Sequence, residues 1–349
     1  MKKAFIILVL LLAATWMLAM PALVGAFMRG WLPDWLAETA PAAETSYQVG
    51  WFSTRLDVSD QNLVADLRAR HFPPFGLAWV DLRGTIHTDF ADNGLRVAGQ
   101  LGLTGQTDVR LDADTTTLAY EPDIRTANAG LTFTQRVDGG AHVVLDLTGL
   151  LMVDRLGNRF NPDQALARLD WTLLDEDHAH LELDLQLTGP GMARLSLIAA
   201  PVHREAMADL LNGIEQLRAA RPDTVDQQFA LLTIVGAWQQ LALADLELEL
   251  GEFSLAGDTV FRGHWHTASS WPEIEGTGDI NALLDWFVPI IGLSRQVSPE
   301  AAEREARAWL LELVDRGWLE PKNERFRFRY GPEEHPENTD FPVPLAPEG

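Results

Sequence analysis

The sequence predicts an α+β protein dominated by β-structure: a large curved antiparallel sheet, amphipathic helices covering one of its faces, and an N-terminal transmembrane helix. Three observations carry this expectation. Residues 4–28 contain no charged side chain, most of the remaining chain alternates apolar and polar residues, and three later segments switch to helical spacing. Strands with one dry and one wet side belong in an antiparallel sheet, because parallel sheets are covered on both faces and read as continuous apolar runs.

Residues 4–28 read AFIILVLLLAATWMLAMPALVGAFM. A helix rising about 1.5 Å per residue needs roughly 20 apolar residues to cross a hydrocarbon core, so this run can span one. Lys2 and Lys3 precede it, whereas Arg29 is followed by Asp34, Glu38 and Glu44, a bias that predicts a cytoplasmic N-terminus and an exported body. A cleavable signal peptide is the competing reading, with Val24 and Ala26 as small residues at the cleavage site; its apolar core is usually only about 7–15 residues, which favours a retained anchor. Residues 1–29 are therefore assigned to the anchor, with Pro21 kinking its outer end. Residues 30–46, with Pro33 and Pro41, read as a tether. Trp31 and Trp35 fall where an interfacial aromatic belt belongs.

From Tyr47 onward the dominant period is two. Segments 95–105, 107–120, 130–137 and 141–153 are separated by Gly, Asn or Asp turn signals, as in an antiparallel meander. In HAHLELDLQLTG (178–189), Leu181, Leu183, Leu185 and Leu187 share one face, opposite His180, Glu182, Asp184 and Gln186. Segment 243–257 repeats the pattern, with Leu246, Leu248 and Leu250 opposite Glu247 and Glu249. Helices are expected over 201–220, over 223–236 and after Ser298. In the last, Ser298 caps, Pro299 takes the first helical position, and Ala302, Ala306, Trp309, Leu310 and Leu313 form the apolar stripe that ends at Gly317. The β-rich body is thus 47–330, with possible halves 47–200 and 201–330, followed by an acidic disordered tail, 331–349.

Composition narrows the function. The chain has 50 acidic and 27 basic residues and a formal net charge of −23, so nucleic acid, whose binding relies on clustered Lys and Arg, is excluded as a partner. The absence of cysteine removes disulfides, thiolate catalysis and sulfur-based zinc sites, and suits an oxidising compartment. The GxSxG and HExxH patterns do not occur. GQLGLTG, with glycines at 99, 102 and 105, lacks the strand-to-helix context of a phosphate loop. No cofactor is implied.

The segment YQVGWFSTR (47–55), about 20 residues after a Lys-Lys apolar N-terminus, resembles the opening of the YdgA-like family of uncharacterised Gram-negative envelope proteins. The matching positions are Tyr47, Gly50, Trp51, Phe52 and Ser53. The order of elements is also similar: anchor, long β-rich region, paired middle helices, further strands, then a late helix ending in VDRGWL (314–319). The C-terminal FRFRYGPEEHPENTD departs from the family pattern. The resemblance implies a single-pass inner-membrane protein with a periplasmic body, and no reaction.

Few residues suggest chemistry. His264 and His266 share a strand face and form the weak metal candidate, requiring further ligands; His178 and His180 repeat the spacing. Asp175, Glu176 and Asp177 read as a solvated turn rather than a calcium loop. Arg325, Arg327 and Arg329 alternate with Phe326, Phe328 and Tyr330, giving one strand an arginine face. That face is expected to pair with carboxylates such as those of the Glu247 strand, or else to hold an anionic ligand such as a lipid head group. The leading functional expectation is a non-enzymatic envelope protein whose leucine-lined sheet forms a groove for lipid or another amphiphile. The alternatives are a scaffolding or interaction protein and, weakly, a metal-dependent hydrolase.

Overall fold

The computed structural model describes residues 21–30, 32–34, 44–60, 63–71, 78–89, 91–102, 104–118, 123–189, 192–219, 225–243, 246–255, 258–267 and 272–331. These form two compact units: residues 1–118 with 125–147, and residues 119–124 with 148–349. The division near residue 148 falls earlier in the chain than the possible boundary at 200.

The first unit begins with a helix, α1 (residues 21–30), and continues as a meander: β1 (Glu44–Val49), β2 (Ser53–Asp60), β3 (Leu63–His71), β4 (Ala78–Thr88), β5 (Ala91–Gly102), β6 (Thr107–Ala113), β7 (Thr116–Leu118), β9 (Asn128–Gln135) and β10 (Ala141–Thr148). A short β8 (Asp123–Thr126) straddles the division. The main strands pair antiparallel in the order β1-β2-β3-β4-β5-β6-β9. Its buried apolar cluster is small, with Leu32 and Leu56 at the centre and Val58 and Leu67 against them.

In the second unit, β11 (Leu151–Val153), β12 (Arg159–Phe160), β13 (Gln164–Leu173), β14 (His178–Thr188) and β15 (Ala193–His203) lead into a helical hairpin, α2 (Arg204–Ala219) and α3 (Val225–Leu243). Then come β16 (Glu247–Leu255), β17 (Thr259–His266), β18 (Glu273–Asp279), α4 (Ile280–Arg295), α5 (Pro299–Asp315), β19 (Leu319–Lys322) and β20 (Arg325–Tyr330). The ladder β13-β14-β15-β16-β17-β18-β20-β19 is antiparallel throughout.

Its main core forms where α4 and α5 cover the dry side of β16–β20. Leu283, Leu284 and Ile291 of α4 and Ala302, Ala306, Leu310 and Leu313 of α5 pack on Phe326, Phe328, Tyr330 and the fully buried Trp318. The α5 stripe is the one expected, and Ser298 Oγ accepts from the Ala301 N–H at 3.3 Å. Helix α4 is not among the three helices expected from the sequence, and it carries Pro289 in its interior, where a helix loses a hydrogen bond. The Asp279 cap, whose carboxylate accepts from the Asn281 N–H at 2.7 Å, and the burial of Leu283, Leu284 and Ile291 outweigh the lost hydrogen bond. Helix α3 likewise runs to Leu243, past the expected end at 236.

Among the described residues no helix is long and apolar enough to cross a membrane. Most of the expected anchor, residues 4–20, lies outside the described residues, as do Trp31, Trp35 and the tail from 332. The tether reading of 30–46 is corrected at both ends: residues 32–34 are helical with Leu32 buried, and β1 starts at Glu44.

Two local features have measurable consequences. Asn158 Nδ2 donates to Asp154 Oδ2 at 2.6 Å and to the Val297 carbonyl at 2.7 Å, tying the β11–β12 turn to the α4–α5 corner. Asn158→Ala leaves a buried carboxylate and a carbonyl short of a donor, and is expected to cost about 2–3 kcal/mol in urea unfolding. In the β13–β14 turn, the N–H of Asp177 and then that of His178 hold the Asp175 carboxyl below the usual carboxylate range. With the folded value below the unfolded one, this contribution is present above the unfolded value and lost as pH falls through the folded value. Asp175→Ala is expected to lower the melting temperature at neutral pH, by a margin that shrinks in acid.

Candidate functional site

The dry face of the second unit is a grid of cross-strand rows. Trp171, Leu181, Ala199, Leu248 and Trp265 form one row, and Ala165, Leu187, Ala193, Leu255 and Thr259 another. The first is covered by the α2–α3 hairpin through Ala206, Met207, Leu210 and Leu241, with Trp238 stacked on Trp265 at 5.5 Å. The second lies within the α4–α5 core. Two rows run between them: Leu169, Leu183, Leu197 and Leu250, then Ala167, Leu185, Leu195 and Phe253. An extra residue in β16, Gly251, restores Phe253 to the dry side after Leu250. Leu183, Leu185, Leu195 and Leu197 are half-buried and join neither core cluster. They form an apolar floor flanked by two helix pairs.

The strands β16, β17, β18 and β20 line a concavity of about 910 Å³ whose walls carry charged or ionisable residues of the wet side, among them Glu247, Glu249, Arg262, His264, His266 and Arg329, as well as Leu248, Leu250, Trp265, Ile274 and Tyr330 of the dry side. Carboxylates face imidazoles and guanidinium groups across the strands: Glu249 with His264, Glu247 with His266, Arg262 with Glu275, and Glu275 with Arg329. His264 Nε2 lies 3.5 Å from Glu273 Oε2, and His266 Nε2 lies 3.6 Å from Glu247 Oε1. The two imidazoles therefore reach toward carboxylates on opposite neighbouring strands. Among the described residues no three His, Asp or Glu side chains are grouped to hold a metal ion. His178 and His180 likewise each meet a nearby carboxylate, of Asp175 at 3.0 Å and of Glu182 at 2.9 Å.

The arginine face is placed differently from expectation. Strand β20 lies between β18 and β19, so Arg329 stands opposite Glu275, Arg325 opposite Asp279, and Arg327 opposite Glu320 on its other side. The Glu247 strand is occupied with the histidines of β17. Sequence alternation identified the face; the strand order that selects its partners is non-local.

The α2–α3 hairpin carries a feature the sequence reading missed. Gly213 lets the helices touch, since a Cβ there would lie 2.8 Å from Ile234 Cγ1. Residues 227–244 contain no charge, and apolar residues of α3 fall on its exposed as well as its buried side. Ala230, Ala237 and Leu241 are buried, while Phe229 and Leu232 are 63% and 66% exposed and Leu243 is 85% exposed.

The motif residues form the β1–β2 turn. Gly50 N–H donates to the Ser53 carbonyl at 2.8 Å, and the His71 N–H to the Phe52 carbonyl at 2.9 Å. His71 is buried, with Nδ1 3.2 Å from the Trp51 carbonyl and Nε2 2.8 Å from Thr54 Oγ1. A carbonyl only accepts, so Nδ1 is the donor in the first of these bonds. Tyr47 stands opposite Leu56 and is partly exposed. Helix α1 meets the turn at Gly25, where a Cβ would lie 2.7 Å from the Gly50 carbonyl oxygen. No protein-family model, curated protein or solved structure matches the chain.

Proposed function

We propose that this protein is a non-enzymatic envelope protein, held in the inner membrane by residues 4–28 with its body in the periplasm, and that the leucine floor of its second unit holds an acyl chain or similar amphiphile. The resemblance to the YdgA-like family, carried by Tyr47, Gly50, Trp51, Phe52 and Ser53, supports the location. So does the packing of α1. Cleavage after Ala26 would strip the buried Pro21, Val24 and Gly25 from the first unit, which favours a retained anchor over a signal peptide.

One observation carries the binding reading: Leu183, Leu185, Leu195 and Leu197 are half-buried in the middle of the face and join neither core cluster, whereas the rows on either side pack against the α2–α3 and α4–α5 clusters. Each buried methylene is worth about 0.8 kcal/mol, so a linear alkyl chain gains from lying along this floor, and the uncharged leucine rows offer it no polar group to desolvate. Protein purified in mild detergent and extracted with organic solvent is expected to yield a bound amphiphile by mass spectrometry, and Leu183→Glu with Leu197→Glu to lose it. Extracts no richer than the background would overturn the reading.

The outer face of α3 favours a second reading, a scaffolding or interaction protein. Phe229, Leu232 and Leu243 form an apolar surface that a partner could cover. Under this reading, photo-crosslinkers at position 232 give a discrete adduct in cells, and recovery of the uncrosslinked chain alone sinks it.

A further inference from the structure

We infer that the β1–β2 turn, through Trp51 and Phe52, is a second membrane contact, seated in the interface beside the N-terminal anchor. The inference rests on the anchoring reading above and adds a site to it.

Three contacts join α1 and its continuation to the first hairpin: Leu32 with Leu56, the Arg29 guanidinium donating to the Val49 carbonyl at 3.2 Å, and Gly25 against Gly50. Followed toward the helix N-terminus, these partners step along the hairpin from β2 to the end of β1 and into the turn. The turn therefore points the way the helix points when traced back toward residue 21. Residues 4–20, which precede α1, are apolar and uncharged, and Gly25 belongs to the same run. The uncharged run ends at residue 28, and helical rise puts residue 25 only about 4–5 Å inside that end, at the level of a headgroup layer and not of bulk water.

The exposed side chains at this level suit that layer. Trp51 and Phe52 are 64% and 54% exposed although they sit in a hydrogen-bonded turn braced by buried His71. On α1, Leu23 and Phe27 are 62% and 66% exposed, while Pro21, Val24 and Gly25 are buried. A turn in water is ordinarily built from Gly, Asn, Asp or Ser; a Trp-Phe pair held outward by backbone bonds has the composition of an interfacial belt. The occupant is a lipid bilayer surface, and the contact is uncharged on the protein side.

The chain has no cysteine, so one introduced thiol is a unique label. Phe52→Cys, Trp51→Cys, Leu12→Cys and Val64→Cys are each labelled with an environment-sensitive fluorophore in the full-length chain, reconstituted in phosphatidylcholine vesicles containing doxyl-labelled lipid. Val64, the second residue of β3, stands opposite Ser59 at the end of β2 away from the turn, roughly 20–25 Å from it by strand rise. The expected result is blue-shifted emission and several-fold stronger quenching at positions 12, 51 and 52 than at 64. Quenching at 12 with water-like emission at both 51 and 52 overturns the inference and leaves the anchor standing. Water-like emission at all four positions overturns the anchor itself, and the second contact with it.

Discussion

A single-layer antiparallel sheet with one dry face is incomplete until something covers that face, and the second unit depends on how its helices meet this requirement. Helices α4 and α5 do so fully at one end. Their side chains close over Phe326, Phe328 and Tyr330, and an aromatic chain runs from Phe261 through Phe253, Trp286 and Phe287 to Trp309 with ring centroids 4.8–5.9 Å apart. Helices α2 and α3 do so at the other end, through a second cluster centred on Val202, Ala206 and Leu241. Two separate covers on one face leave a strip between them, and leucine at every position of the strip in β14 and β15 makes it apolar.

The elements whose logic is local were legible in the sequence. The period of two marked β14 and β16 and sorted their leucines from their charges; Ser298, Pro299 and the 302–306–310–313 stripe marked α5. Elements set by distant partners were not. Helix α4, which carries Pro289 in its interior, is held by its Asp279 cap and by burial that includes contacts with β12 and β16, distant in sequence. The bulge at Gly251 breaks the alternation that makes β16 readable, yet it is needed for Leu250 and Phe253 to face the same way. Likewise the leucine rows were visible, but which rows are roofed depends on where two helix pairs land.

The wet face answers the charge problem of an acidic chain by register. Each cationic or ionisable group on β17 and β20 stands opposite a carboxylate: His264 and His266 against β16, Arg262 and Arg329 against Glu275. Individually such exposed pairs are worth at most about 1 kcal/mol. Their larger effect is on specificity, because a slip of one residue would set Glu and Arg against the apolar core and Phe and Leu against water. The His264–His266 spacing that resembles a metal site is better explained by this charge alternation.

Under the anchoring proposal, the same acidity constrains the kind of contact the body would make with a membrane. With a formal net charge of −23, the body is repelled by anionic headgroups over most of its surface, so a contact made through clustered Lys or Arg is unavailable to it. What remains is uncharged contact, and the first unit concentrates such groups at one level: Trp51 and Phe52 on the turn, Leu23 and Phe27 on α1. Arg29, the first cation after the apolar run, donates to the Val49 carbonyl at that same junction. The close approach of Gly25 and Gly50 then follows as a requirement. A side chain at Gly25 would meet the Gly50 carbonyl oxygen at 2.7 Å and push the hairpin off the helix.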